Sequence, residues 1–500
     1  MMDTSRIPVI VGVGQVNDRP ATPELGLDSL GLMEAALRAA DDDAGGGWLP
    51  RLDSLALVDQ ISWPQLGETS APLAARLGAN PRICFKTPSA MGDSPILLLN
   101  QAANAIASGE IEVAAVGGGE ALRTAAQRAA LAAGDRPQDH NATRIASARR
   151  AQTYRGRYGL TAPVDIYPLY ENCARAAYGQ TLAEAQAESG QIWSLFSEVA
   201  LGNPGAWIRR AYSPNEIIEP TAANRPIAHP YNKLMVANSS VNQGAGFIVT
   251  SLARALEAGV PEARLIYVGR GAAAHEPDDF LARDRYDAFP GMQVSITRAL
   301  QLNQVSAADL DLVELYSCFP CVPKMARRVF GWPAERPATV FGGLTFGGGP
   351  IGNYMSHAVV GMVLKLRETG RNGLLFANGG LATHNHTIVV SRDSAIAQAL
   401  PADYDFQAEA DAARGPIPPH RENYVGPGRI ETYTVLYERD GSPKFGVIIG
   451  RSPQGERFLA KVPGADAAGV AFLTDGRVEP VGTEGTATMN DEGDVIWRRI

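Results

Sequence analysis

The strongest constraint on the fold is a series of elements that occurs twice. In residues 8–122, "PVIVGVGQV" reads as a short buried strand ending near glycine, "SLGLMEAALRAAD" as a helix and "DSLALVDQI" as a strand. "SPILLLNQAANAIASG" then reads as a second helix, and "EVAAVGGGEAL" as a strand running into glycines. Residues 263–392 repeat the series: strand "ARLIYVGRGAA", helix "GMQVSITRALQLN", strand "DLDLVELYSCF", helix "MSHAVVGMVLKLRE", strand "NGLLFANGG" and strand "HNHTIVVSR". Short apolar strands alternating with helices predict parallel βαβ units. A strand that ends in glycine lets the backbone approach a ligand closely. The series therefore predicts a duplicated α/β fold with two halves, residues 1–260 and 261–408.

Two stretches fall outside the repeat. Residues 121–224 are rich in Ala, Arg and Glu and read as a helical insertion covering one face of the sheet. After a polar, Pro- and Gly-containing linker, residues 415–500 read as strands throughout, with "RDGSP" as a hairpin turn. This predicts an additional all-β barrel.

The net charge of −8 lacks the Lys/Arg excess that a nucleic-acid surface needs. No run of about 18 apolar residues predicts a membrane span. The start shows no secretory pattern, and four cysteines are too few for a disulfide framework, so a reducing, cytoplasmic setting is expected. Cys318 and Cys321 have CxxC spacing, but without a second pair they predict buried thiols and no metal site.

Four segments carry a family resemblance. "IASGEIEVAAVGGGEAL", "MVANSSVNQGAGFIVTS", "GGLTFGGGPIGNY" and "LLFANGGLATH" resemble, in order, the thiolase segments written "GG.E", "GNSS..NDGA", "GGL...GHP" and "CxGGG". The chain thus resembles the thiolase superfamily, and within it the thiolase-like proteins of type 1, which carry an additional C-terminal domain. The resemblance implies a five-layer αβαβα thiolase fold with a helical loop-domain insertion and an OB-like barrel at residues 415–500. It also implies CoA or acyl-CoA as ligand, with no other cofactor, and leaves a monomer or a dimer open.

The usual catalytic positions are changed. Aligned on Gly92 of "TPSAMGDSP", the nucleophilic cysteine becomes Ser89. The "NEAF" or "HDCF" loop becomes "YSCF", placing Tyr316 at the Asn/His position and Ser317 at the acidic one. The histidine of "GHP" becomes Gly349, and the second cysteine becomes Ala377, with Asn378 next to it. A serine hydroxyl starts far from ionised and needs a positioned base. Ser89 therefore reads either as a nucleophile or as a cap near a helix start. Tyr316, with Tyr354 nearby, is a candidate acid/base. His384, on the turn after "NGG", and His357, at a helix start, are further candidates. Asn238, Ser239, Ser240, Gly379 and Gly380 are the candidate CoA contacts. Arg149 and Arg150 head a set with Arg123, Arg128, Arg155 and Arg157 for the CoA phosphates.

Three functional readings follow. The first is a protein acting on or binding a CoA thioester, an acyltransferase by descent without ordinary two-cysteine thiolysis. The second is a retro-aldolase cleaving a β-hydroxyacyl-CoA, as the steroid side-chain retro-aldolases of the same superfamily do with tyrosines and an OB-like partner domain. The third is a non-catalytic acyl-CoA-binding protein.

Overall fold

The computed structural model describes residues 3–133, 153–397 and 399–500. The first half supplies strands β1 (Pro8–Asn17), β2 (Ser54–Leu57), β3 (Ile83–Lys86) and β4 (Val113–Ala121). A small hairpin, β5 (Pro226–Ala228) and β6 (Tyr231–Asn232), precedes β7 (Asn242–Ser251). The second half supplies β8 (Ile266–His275), β9 (Leu312–Leu315), β10 (Asn372–Gly379) and β11 (His384–Ser391). Nine strands join in the order β3-β2-β4-β7-β1-β8-β11-β10-β9. The halves meet at β1 and β8, where Val9 faces Tyr267 and Ile10 faces Ile266. Outward from that seam both halves repeat one order: first strand, antiparallel last strand, glycine-ended strand, short parallel strand. The duplication read from sequence is thus present in the topology.

The expected parallel pairing holds for β2 with β3 and β4, and for β9 with β10. It does not hold for the last strand of each half, which runs antiparallel to both neighbours. For β11 the connection explains this: residues 380–383 are too few for a crossover, which takes roughly a dozen.

Helices Ser94–Ser108 and Tyr354–Glu368 pack on each other and touch strands of both halves, forming the middle layer. Every residue from Tyr354 to Val363 is buried, as a helix between two sheets must be. Helix Ser94–Ser108 ends at Gly109, whose φ of 75° suits glycine. Helices Ser29–Asp43 and Pro290–Leu302 cover the outer faces. The layers therefore alternate αβαβα. No helix among the described residues is long and apolar enough to cross a membrane.

The C-terminal strands β12 (Gly426–Tyr437), β13 (Pro443–Arg451), β14 (Arg457–Pro463), β15 (Glu484–Met489) and β16 (Val495–Arg499) run β13-β14-β16-β15-β12, and β12 pairs back with β13 to close a barrel. The all-β expectation is corrected at one place: Ala467–Thr474 is a helix between β14 and β15. Its sequence, "AAGVAFLT", has no polar alternation, and an unbroken apolar run cannot separate strand from helix.

Alternation along the barrel strands is used twice. Tyr433, Val435 and Ile448 fill the barrel, while Leu436, Val447 and Ile449 join the main core. The barrel also continues into the β5–β6 hairpin through Leu436 opposite Ala228. Helix Pro163–Ala177 of the insertion fastens to β12. There Asn172 Nδ2 donates to Tyr433 O at 2.9 Å, and Thr432 Oγ1 donates to Leu169 O.

Candidate active site

A cavity of about 440 Å³ opens where the two halves, the insertion and the middle helix layer meet. Segment 90–92 enters from the start of helix Ser94–Ser108, Tyr316, Cys318 and Phe319 from the loop after β9, and Asn378 to Gly380 from the glycine end of β10. Pro163, Val164 and Tyr167 enter from the insertion; Ser239, Leu344, Gly349 and Ile351 complete the wall. Among the described residues no charged side chain lines it. Such a wall suits an uncharged acyl group with a few placed polar contacts.

Tyr316 is 7 % exposed and packs edge-on to Tyr354, with ring centroids 5.8 Å apart. Its hydroxyl lies against Gly92, 2.5 Å from where a Cβ would stand. Among the described residues that hydroxyl has no hydrogen-bond partner, and Tyr316 lines the cavity. Burial, with the Cys318 thiol and the Asp93 carboxyl nearby, holds its phenol well above the ordinary tyrosine range. A phenol in that state is a hydrogen-bond donor rather than a base.

Tyr167 fixes the turn after β10. Its hydroxyl donates to Gly380 O (3.2 Å) and Asn378 Oδ1 (3.3 Å) and accepts from Ala382 N (2.8 Å). Asn378 Nδ2 in turn donates to Asn385 Oδ1 at 2.9 Å. Of the two residues at the second-cysteine position, Asn378 lines the cavity, whereas Ala377 is fully buried in the sheet opposite His386.

The structure brings Tyr316, Ser239, Gly379 and Gly380 together on the wall. Asn238 and Ser240 flank Ser239: Asn238 Oδ1 accepts from Ser240 N, and Ser240 is exposed. His384 stands just behind Gly380, whose Cβ position is 3.5 Å from His384 Cδ2. Ser89 lies apart: it is exposed, off the wall, and its carbonyl accepts from Thr87 Oγ1 and Met91 N. His357 also lies off the wall, fully buried, with Nδ1 at 3.0 Å from Gln15 Oε1, and burial pushes it down to about 3. It is neutral at any working pH.

Arg149 and Arg150 lie outside the described residues. Arg128 is committed to the carbonyls of Pro23, Glu24 and Gly26. Arg157 pairs with Glu422, Arg155 stands over Phe280, and Arg123 is exposed. None of these four lines the cavity.

Asp93 escaped the sequence reading. "GDSP" before an apolar helix reads as a cap, and Asp93 is at the N-cap position, yet its side chain makes no cap bond. It is buried, and its Oδ1 has no partner. Burial pushes its carboxyl up, and His384 and His275 pull it partly back. The sequence signal was only the aspartate itself; where its side chain points needed the structure. The thiol on the wall, Cys318, is pushed up to about 12 by burial and is not a ready nucleophile. Among the described residues no group of His, Cys, Asp and Glu is placed to hold a metal ion.

Duplicated halves, a middle layer of buried helices and a cavity at the glycine end of β10 together define a protein of the thiolase superfamily. Over 99 % of this chain and 100 % of the other, it is 30 % identical to a monomeric SCP2-thiolase-like protein type 1 from Mycobacterium smegmatis, with a TM-score of 0.81. The chain belongs to that family, the SCP2-thiolase-like proteins of type 1. Residues 405–492 match the family model for the thiolase-like protein type 1 additional C-terminal domain. The fold is shared with an Ltp2–ChsH2(DUF35) aldolase (20 % identity, 78 % of this chain, 98 % of that one, TM-score 0.58). It is shared too with human mitochondrial 3-ketoacyl-CoA thiolase in complex with CoA (14 %, 78 % and 99 %, TM-score 0.56). A comparison with curated proteins gave no match.

Proposed function

We propose that the cavity takes the acyl part of a CoA thioester and that the chemistry there is proton transfer without an acyl-enzyme, with cleavage of a β-hydroxyacyl-CoA as the reaction. The observation that carries this is the Tyr316 hydroxyl, held at the cavity with no partner among the described residues. A buried donor kept free inside a protein is suited to an oxygen that gains charge during reaction. In a retro-aldol cleavage that oxygen is the thioester carbonyl as it becomes an enolate. Covalent acyl transfer lacks its parts: Ser89 is off the wall and the Cys318 thiol is held protonated. The solved relatives include a thiolase bound to CoA and an aldolase, which agrees with a CoA thioester and with carbon–carbon cleavage. The free thiols of Cys84, Cys173, Cys318 and Cys321 suit a reducing compartment, and we place the protein in the cytoplasm.

The test is a panel of β-hydroxyacyl-CoAs with apolar side chains, assayed for an aldehyde or ketone together with the shortened acyl-CoA. Release of both from at least one member is expected. With acetoacetyl-CoA and free CoA, thiolysis at background is expected, and Ser89→Ala is expected to match wild type in both assays. Thiolysis that disappears in Ser89→Ala would restore the covalent reading.

A further inference from the structure

The cavity wall has a second layer that the reading above leaves unused. Asp93 is 6 % exposed, does not cap its helix, and leaves Oδ1 unpaired among the described residues. Buried polar atoms without partners are rare and concentrate where a protein has another use for them. Two glycines of the wall keep side chains out of this place. A Cβ on Gly379 would stand 2.8 Å from Asp93 Oδ1, and one on Gly92 would stand 2.5 Å from the Tyr316 hydroxyl. Gly379 and Gly92 also abut each other, with the Gly379 Cβ position 3.0 Å from Gly92 N. Asp93 therefore sits directly behind the wall, beside the phenol that faces the cavity.

Two histidines belong to the same corner: Gly379, whose Cβ position abuts Asp93 Oδ1, is the register partner of His384. His384 and His275 are register partners across β11 and β8, and their ring centroids are 4.5 Å apart. His384 is partly buried and His275 is exposed. Exposure rises from Asp93 through His384 to His275. Asp405, Asp278 and His386 also face His275, and Arg414 Nη2 donates to its carbonyl at 2.8 Å. His386 takes no part, because burial pushes it down to about 3 while its Nε2 lies 3.1 Å from Asn100 Nδ2.

We propose that Asp93, His384 and His275 form a proton path between the cavity and solvent, with Asp93 holding the substrate proton during reaction. The path rests on the β-hydroxyacyl-CoA reading. The O–H bond of the β-hydroxyl breaks, and its electron pair forms the new carbonyl as the Cα–Cβ bond breaks. The pair of that carbon–carbon bond passes into the thioester as an enolate, whose oxygen takes the hydrogen bond from Tyr316. The released proton goes to Asp93 and through His384 to His275. The enolate carbon then takes one proton back along the same path, so the enzyme ends as it began. Asp93 acts from behind the wall and is a positioning and proton-holding residue.

Two measurements on the full chain separate this path from the reaction it serves. The first is the titration of His275, followed by its ring proton in nuclear magnetic resonance. Burial and the neighbouring His384 lower its midpoint, and Asp93 raises it. Asp93→Asn should therefore lower the midpoint and His384→Gln should raise it, each by about 0.5 pH or more. No movement in either variant overturns the path, whatever the activity. Should Asp93→Asn fail to fold, the rise in His384→Gln still decides. The second is turnover of the cleaved β-hydroxyacyl-CoA. Asp93→Asn is expected to lower kcat about 100-fold with KM unchanged, and to flatten the acid limb of the pH profile. An unchanged kcat and limb overturns the path and leaves the cleavage reading standing. Opposite shifts of His275 with no cleavage by wild type leave the coupled groups standing and overturn the reaction.

Discussion

Tyr316→Phe is expected to bind CoA as wild type does and to lose about 100- to 1,000-fold in turnover of a β-hydroxyacyl-CoA, the range for removing one donor to a developing oxyanion. The substitution removes one oxygen and keeps the ring that packs on Tyr354. Among the described residues that oxygen has no hydrogen bond, so its loss leaves none of their buried groups unsatisfied, and unfolding in urea should be unchanged within about 0.5 kcal/mol. Burial holds the phenol above its ordinary range, so it stays protonated through neutral pH and the donor is present wherever the enzyme works. The wild-type pH profile should accordingly show no loss of activity from phenol ionisation up to about pH 10. Calorimetry with CoA and initial rates with the cleaved substrate check both halves. Undiminished cleavage in Tyr316→Phe would remove the residue from the mechanism.

The largest effect on stability is expected far from the cavity. Arg457 of β14 is fully buried. Its Nη1 donates to Leu281 O and Arg283 O at 2.6 Å each. Nε and Nη2 hold Glu431 Oε2 and Oε1 at 2.9 and 2.7 Å, and the guanidinium stands 4.5 Å from the Tyr286 ring centroid. One side chain thus ties the barrel to the second thiolase half. Arg457→Ala strips donors from two carbonyls and one of two arginines from Glu431, and should cost roughly 3–5 kcal/mol in urea unfolding. Glu431→Gln should also destabilise, because its amide oxygen can still accept from Arg451 Nη2 and Arg457 Nη2 but its amide nitrogen, a donor, would face Arg451 Nε and Arg457 Nε. A loss under about 1 kcal/mol in Arg457→Ala would show that the barrel does not depend on this clasp.

Much of this architecture could be read from the chain. Helices Ser94–Ser108, Pro290–Leu302 and Tyr354–Glu368 and strands β4, β10 and β11 stand where their patterns predicted them. The reason is physical: each is buried on a regular face and ends at a glycine, a short turn or a polar residue. The turn at "RDGSP" joins β12 to β13 as expected. Direction was harder to read. Nothing in the composition of β7 says that it returns antiparallel after the long insertion; pairing with both β1 and β4 decides it. The site divided along a similar line. Tyr316 and the glycines after β10 were visible because their positions follow from backbone motifs. Asp93 was not, because an aspartate before a helix is an ordinary cap in sequence and only its unused carboxylate marks it here.

The pairing of β12 with β5 has a consequence for how the chain is made. Leu436 meets Ala228, and Asn172 bonds to Tyr433 O, so a later strand completes a surface laid down more than two hundred residues earlier. A ribosome adding about 5–20 residues each second takes some 10 to 50 seconds to cross that interval. Throughout it, helix Pro163–Ala177 and its apolar neighbours wait for their cover. Contacts so distant in sequence also slow the search for the native pairing. The insertion is thus sealed only when the barrel strand emerges, and chaperones that hold nascent chains have most to do for this protein in that interval.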